Sequence, residues 1–194
     1  MSLQFRGNKM TTVFIAGSIR IKNLDQLVIE RVRKIVNSGY KVVVGDANGA
    51  DSSIQKLLLE LGGQNTTVFS SSNHPRNNLG DWHVHVVNSE HAPGTRAFFT
   101  AKDLKMAEIA DYGLMVWDSQ STGTLSNVIE LLSQNKYSAV FVNKEKTFEV
   151  IKTPSDLKKL ISYMSLTALE KAEQKIKLSQ KMNKLDNNQI QISL

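Results

Sequence analysis

Three short polar loops, each directly after an apolar run, hold the residues of this sequence that are best suited to chemistry. They are Gly17–Arg20, Gly45–Asp51 and Ser119–Thr124. Glycine lets backbone N–H groups approach an anion closely, and a helix that begins after such a loop adds a favourable dipole. In an open α/β sheet, ligands bind beyond the carboxyl ends of the strands, near the point where strand order reverses. The loops therefore predict a site for a phosphorylated small molecule, such as a nucleotide.

Side chains in these loops suggest separate roles. Arg20 offers a guanidinium that suits phosphate, although an ordinary strand–helix turn with a surface arginine would look the same. Asp51 is placed either to cap the following helix or to bond a ribose hydroxyl. Asp118 ends an apolar run and could orient a sugar, whereas Thr124 could meet a phosphate or cap its helix.

A long connection over residues 70–99 also holds residues that could bind a ligand. Connections of this length are usually functional or mobile. Trp82 could stack on a base and Arg76 could meet a phosphate; the alternative is a surface loop that the tryptophan anchors to the core. Lys102, just beyond the connection, suits a phosphate contact.

Several familiar site patterns are missing. There is neither a GxGxxG nor a GxxxxGK[ST] motif, so the standard dinucleotide fingerprint and the P-loop are absent. His83 and His85 would share one face of a strand, and His91 follows, but no carboxylate lies at a convincing spacing. We therefore predict no metal.

The elements that position the loops follow from hydrophobic periodicity. Short apolar runs predict five strands, over residues 12–17, 40–44, 66–69, 112–117 and 138–142. Helices are expected over residues 24–38, 50–61 and 125–135, with another capped by Thr100 and Asp103. Strand–helix alternation implies parallel strands with right-handed crossovers. The prediction is an α/β fold: a three-layer, Rossmann-like parallel sheet of about five strands in the order 3-2-1-4-5, with a C-terminal helical extension.

The C-terminal part has a different pattern. After Pro154 the chain is amphipathic and helical, and Thr167 with Glu170 forms a capping-box pattern, so we expect two helices with a break near Ser165. The predicted organisation is a Rossmann-like nucleotide-binding domain over residues 1–150 and an amphipathic helical extension over residues 151–194.

Composition narrows the class of protein. Of 194 residues, 41% are hydrophobic, which is enough for a sizeable core, and none is cysteine, which excludes disulfides, zinc-thiolate sites and cysteine nucleophiles. No apolar stretch approaches the roughly 20 residues that a membrane span needs, and no signal-peptide pattern is present. We expect a cytoplasmic protein with no membrane partner.

Charge is unevenly distributed along the chain. The net charge is +6, and the segment from Ile151 onward contributes +4 of it, from eight lysines against four acidic residues. A basic tail can contact nucleic acid, but a solvated lysine-rich helix face is the simpler interpretation. Nucleic acid is therefore not the expected partner; a small-molecule nucleotide is, and self-association is left open.

The loops taken together resemble a known group of proteins. Gly17–Arg20, Gly45–Asp51, Ala110–Asp118 and Ser121–Thr124 are similar to motifs of the SLOG superfamily. That superfamily joins the DprA/SMF proteins, the LOG phosphoribohydrolases and the YpsA-like proteins, and the resemblance is closest to YpsA-related bacterial members. It covers residues 12–143 and implies a Rossmann-like fold that binds nucleotides or their derivatives. Some relatives cleave or transfer N-glycosidic bonds.

One departure from the family pattern bears on activity. LOG enzymes carry a glutamate three residues after the motif's threonine, and Asn127 stands there in this sequence. Cleavage of an N-glycosidic bond needs a carboxylate to stabilise the oxocarbenium-like centre, which asparagine cannot do. Glu130, about one helical turn further on, is the candidate substitute, with Asp51 and Asp118 as other choices. Asn127 would instead bond a base or a ribose.

The sequence thus predicts a nucleotide- or nucleotide-derivative-binding protein, sensor-like, with no cofactor firmly implied beyond a nucleotide ligand. The first alternative is an N-glycosidase, phosphoribohydrolase or nucleoside ribosyltransferase, with Glu130 as the catalytic residue. The second is a single-stranded DNA binder of the DprA type. The predicted ligand-binding residues are Gly17, Ser18, Arg20, Gly45, Ala47, Gly49, Asp51, Arg76, Trp82, Lys102, Asp118, Ser121, Gly123, Thr124 and Asn127.

Overall fold

The computed structural model describes residues 10–192 and is built around one seven-stranded sheet. The strands are β1 (Thr12–Gly17), β2 (Lys41–Gly45), β3 (Thr66–Ser70), β4 (His83–Val86), β5 (Tyr112–Trp117), β6 (Ser138–Val142) and β7 (Thr147–Ile151). Their order is β4-β3-β2-β1-β5-β6-β7, and every neighbouring pair is parallel except β6 and β7. Strand order reverses between β1 and β5, so ligand-binding loops are expected to meet there.

Helices cover both faces of the sheet. They are α1 (Gln26–Asn37), α2 (Ala50–Glu60), α3 (Arg96–Ile109), α4 (Thr122–Ser133), α5 (Pro154–Ile161), α6 (Leu166–Ile176) and α7 (Leu178–Ile192). Alternate residues of β1 face opposite layers, as the two-residue period of a strand requires. Val13 and Ile15 pack with buried residues of α1 and α2, whereas Phe14 and Ala16 pack with those of α3, α4 and the C-terminal helices. The arrangement is the predicted three-layer α/β fold.

The predicted strand order is confirmed, and two edge strands extend the sheet. The five predicted strands correspond to β3-β2-β1-β5-β6. β4 lies within the long connection and is only four residues long, with His83 and His85 exposed. β7 returns antiparallel to β6 after a tight turn in which Lys146 has a φ of +53°. Short, partly polar edge strands of this kind protect a sheet from pairing with other chains.

Two helices begin elsewhere than their capping patterns predict. α3 starts five residues early, because the Thr95 hydroxyl accepts the N–H of Phe98, and Thr100 then lies inside the helix and donates to the Arg96 carbonyl. α6 is capped by Ser165, whose hydroxyl accepts the N–H of Ala168, so Thr167 is not the cap. The predicted break near Ser165 is present, but a second break at Lys177, which has a φ of +51°, gives three helices in the described part of the tail instead of the predicted two.

The C-terminal helices belong to the main core. Leu157 and Leu160 of α5 and Ala172 of α6 are fully buried, in the same hydrophobic cluster as residues of β5, β6 and α4. Burial on this scale stabilises the fold by about 1.5–3 kcal/mol for each large side chain. None of the described helices combines the length and apolar character that a membrane span requires.

Candidate functional site

A cavity of about 250 Å³ opens at the carboxyl ends of β1, β2 and β5, where the strand order reverses. We call it the crevice. Most of the predicted ligand-binding residues line it, together with others that the sequence did not single out. The lining residues are Ala16, Gly17, Ile19, Ala47, Asp51, Arg76, Phe99, Lys102, Asp103, Ser121, Gly123, Thr124 and Asn127.

Buried charges form one wall of the crevice. Lys102 of α3 is only 4% exposed, and its Nζ lies 3.3 Å from Asp103 Oδ1 and 3.7 Å from Asp46 Oδ1. Arg76 reaches Asp46 from the long connection, with Nη2 2.8 Å from Oδ1. Asp46 also accepts the backbone N–H of Arg76 and the hydroxyl of Ser70. Asp46 therefore ties the β2–α2 loop to the long connection and to α3.

The pKa values in this cluster follow from burial and from its cations. Burial raises the pKa of Asp51 from an ordinary 3.8 to about 6, although Lys102 opposes the shift. Burial also acts against the ammonium of Lys102, but the carboxylates of Asp103, Asp51 and Asp46 outweigh it and raise its pKa. For Asp46, burial is outweighed by the hydrogen bond from Arg76 and the charge of Lys102, so its pKa is lowered. The charge of Asp51 can thus change near neutral pH.

Two glycines make room for this arrangement. A Cβ atom on Gly45 would collide with the Asp51 carboxylate and the Lys102 ammonium, so both charged groups lie directly over the end of β2. Gly49 has a φ of +79° and packs against the carbonyl of Ile19, a conformation and a contact that a side chain would prevent. Gly49 is also the N-cap of α2, and Asp51, the predicted alternative cap, lies in the first turn, where its carboxylate bonds the backbone of Ala47.

Ser18 and Asp118 brace the loops and do not line the crevice. The Ser18 hydroxyl donates to Asp118 Oδ1 at 3.0 Å and accepts the N–H of Asp118 at 3.1 Å. The same carboxylate oxygen accepts the N–H of Ser121 at 2.7 Å. These bonds link the carboxyl ends of β1 and β5 across the switch point.

The amino end of α4 forms the opposite wall. Ser121 is the N-cap, and its hydroxyl accepts the N–H of Thr124, so Thr124 is not the cap. The first-turn N–H groups of a helix lack intrahelical acceptors and create a positive potential. Arg96 adds a cation nearby, because its Nη1 donates to the Thr122 hydroxyl at 3.1 Å. This wall suits a phosphate, whereas the wall with Asp51 and Asp103 suits hydroxyl or amino donors.

Three predicted residues lie away from the crevice. Arg20 is exposed and donates to Gln120 at 3.0 Å. Trp82 is 8% exposed and packs in the core of the α1–α2 layer, where Asn78 bonds its backbone N–H and carbonyl. Glu130 lines a neighbouring cavity and accepts the amide of Gln134. Of the carboxylates considered for glycosidic chemistry, only Asp51 lines the crevice.

Sequence reasoning missed the aromatic residue of the crevice. Phe99 lies in the first turn of α3 and is 37% exposed to solvent. The guanidinium of Arg76 lies 4.9 Å from the centre of its ring. The Phe98–Phe99 pair was a usable signal, but its position at the crevice depends on where α3 starts. In the described part of the chain, no group of three or more histidine, aspartate and glutamate side chains could hold a metal.

Comparison with known proteins gives one informative likeness. No family model and no curated protein matches the sequence. Among solved structures, DNA processing protein A from Helicobacter pylori, described for its single-stranded DNA binding mode, is similar with a TM-score of 0.51 and 18% identity. The match covers 67% of this chain and 64% of that one, so it spans less than two thirds of the neighbour's length.

This likeness corrects one expectation. Nucleic acid was not the expected partner, yet the similar solved structure is that of a single-stranded DNA-binding protein. The tail charge alone could not reveal this, because a lysine-rich helix face looks the same whether it is solvated or bound. At 18% identity the likeness shows a shared fold and no more. The similar structure is that of a DprA protein, and DprA proteins are one group of the superfamily that the sequence resembles.

Proposed function

We propose that this protein binds single-stranded DNA and seats one nucleotide in the crevice. The observation that carries the proposal is the partly exposed Phe99 ring at a cavity that is also lined by Arg76 and the amino end of α4. Proteins that bind single strands combine aromatic stacking platforms with cationic grooves that follow the backbone. The DprA fold gives independent support.

The charges of the crevice favour a strand over a free nucleotide. Its buried cluster sets two cations, Arg76 and Lys102, against the carboxylates of Asp46, Asp51 and Asp103. Because Asp51 is mostly ionised at pH 7, the cluster then carries a small net negative charge and offers no net attraction to a doubly charged free phosphate. The N–H groups of a base can still donate hydrogen bonds to the carboxylates, and attraction to phosphates must come from cations outside the cluster.

The test compares two exposed aromatic residues. Replacing Phe99 with alanine removes the stacking face, which is worth about 1–3 kcal/mol per base, or about 5- to 150-fold in affinity. The measurement is fluorescence anisotropy with a labelled thymidine oligonucleotide. Phe99→Trp should retain binding, because a larger aromatic ring still stacks.

Tyr137 provides the matched control. It is 44% exposed and directly precedes β6, at the opposite end of the sheet from the crevice. Tyr137→Ala should leave oligonucleotide affinity unchanged. Equal affinities for Phe99→Ala and Tyr137→Ala would contradict the stacking role.

A free nucleotide remains the second candidate ligand. The cavity volume of about 250 Å³ suits a single nucleotide unit better than an extended cofactor, since larger ligands usually occupy 300–1,000 Å³. A thermal-shift series with nucleoside monophosphates addresses it. A large shift with one nucleotide, together with no binding of oligonucleotides, would favour this candidate over DNA.

A further inference from the structure

A second cavity, of about 280 Å³, lies between α3, α4 and the junction of α6 with α7. We call it the lysine cavity. Lys175, Lys177 and Lys181 line it from the C-terminal helices, and Arg96 lines it from α3. Among the described residues that line it, Glu130 is the one carboxylate, so four cations face a single negative charge there. The sequence resemblance to the SLOG superfamily covers residues 12–143 and so ends before these C-terminal helices, and the crevice does not use their lysines.

The three lysines are not neutralised by any of the side chains at described positions. Among the side chains that the structure describes, no carboxylate forms an ion pair with any of them. The acidic residues nearest in sequence are engaged elsewhere. Glu173 accepts both the N–H and the hydroxyl of Ser179 at 2.8 Å, and Asp186 pairs with Lys158. Uncompensated lysines around a concave surface create a positive potential that attracts anions.

The lysine cavity adjoins the crevice. Asn127 lines both cavities. Arg96 lines the lysine cavity and also bonds Thr122, the first residue of the helix whose amino end forms a wall of the crevice. A chain of phosphates could therefore pass from the amino end of α4 to the lysines without leaving the protein surface.

We propose that the lysine cavity binds the phosphates of the nucleotides that adjoin the crevice nucleotide on the same strand. This inference rests on the proposed binding of single-stranded DNA. On this inference, lysines of the C-terminal helices supply the attraction to phosphates that the crevice cluster does not. It also makes binding depend on strand length, because a mononucleotide cannot reach both cavities.

The test replaces Lys175, Lys177 and Lys181 with glutamine and measures anisotropy with thymidine oligonucleotides of increasing length. Each phosphate contact on a single strand contributes about −0.7 to the slope of log affinity against log salt. The triple variant should lose about two units of that slope for long oligonucleotides and bind them at least about tenfold more weakly. Binding of the shortest oligonucleotide, which only fills the crevice, should change less than about twofold.

The control variant removes the same charge elsewhere. Lys34, Lys41 and Lys184 are exposed and do not line either cavity. Their triple glutamine variant should retain the wild-type slope. If both triple variants bind long oligonucleotides equally well, the inference is overturned while the proposed function stands. If the wild-type protein binds no oligonucleotide at any length, the proposed function fails, and the inference fails with it.

Glu130 gives a test of opposite sign. Glu130→Gln removes the one carboxylate found among the described residues of the lysine cavity and keeps an oxygen that can accept from Gln134. Long oligonucleotides should bind this variant more tightly than wild type, with the gain largest at low salt. Unchanged or weaker binding would count against phosphates in this cavity.

Discussion

Lys102 shows why the residues of the crevice were only partly predictable. Its neighbour in the buried cluster, Asp46, lies in a loop on the other side of the long connection, and no local pattern pairs the two. Glycine-rich loops after strands are a local signal, so Gly17, Asp51 and Gly123 were found. The choice of aromatic residue was not local: Trp82 is drawn into the core by its apolar surface, and Phe99 takes the exposed position.

Asp51 predicts a pH dependence of binding. Its pKa of about 6 means that it is mostly ionised at pH 7 and mostly protonated at pH 5. Protonation removes a negative charge from the crevice, so DNA should bind up to about tenfold more tightly at pH 5 than at pH 7. The measurement uses an oligonucleotide without terminal phosphates, whose own charge is constant in this range. Asp51→Asn should flatten the profile.

The same shift predicts the stability of the free protein. Because the folded-state pKa of Asp51 is raised, the folded protein holds its proton more strongly than the unfolded chain. Wild type should therefore lose up to about 3 kcal/mol relative to Asp51→Asn as the pH rises from about 4 to above 6. The measurement is the free energy of unfolding from chemical denaturation at several pH values. A constant difference between wild type and Asp51→Asn across this range would contradict the raised pKa.

At the scale of elements, the central strands were predictable and the edges were not. β1, β2, β5 and β6 are continuous apolar runs, because parallel central strands are buried on both faces. β4 and β7 are short and partly exposed, so the hydrophobic pattern there is weak. The predicted helix starts were wrong where two hydroxyl residues could each cap the helix. Thr95 is the cap instead of Thr100, and Ser165 is the cap instead of Thr167.

The C-terminal helices give an element-scale prediction. Leu157 is fully buried against the main core, so Leu157→Ala should lower the free energy of unfolding by about 2–5 kcal/mol. Leu166, at the start of α6, is 78% exposed, and Leu166→Ala should change the free energy of unfolding by less than about 0.5 kcal/mol. Urea unfolding of both variants checks this. Similar small effects would mean that α5 packs only loosely.

This packing also decides how the tail should be tested. Deleting residues 152–194 would expose the core that Leu160 and Ala172 cover, so lost binding would not report on charge. Charge substitutions at exposed lysines of the tail avoid that problem.

On the scale of the whole molecule, the proposed DNA binding gives a reason for where the excess of basic residues lies. The tail supplies +4 of the net +6. Three of its lysines line a cavity beside the crevice, whose buried cluster has no excess of positive charge. A strand of DNA that crosses both cavities would meet stacking and hydrogen bonding in one and cations in the other. A duplex could reach the lysines but could not place a stacked, paired base on Phe99.

The most direct test of this account is an anisotropy titration of a labelled oligonucleotide of about twelve thymidines, at several salt concentrations, with unlabelled competitors. We expect saturable binding that weakens as salt rises, displacement by single-stranded DNA, and little displacement by duplex DNA at the same nucleotide concentration. Absence of binding at the lowest salt, or equal displacement by duplex, would contradict it.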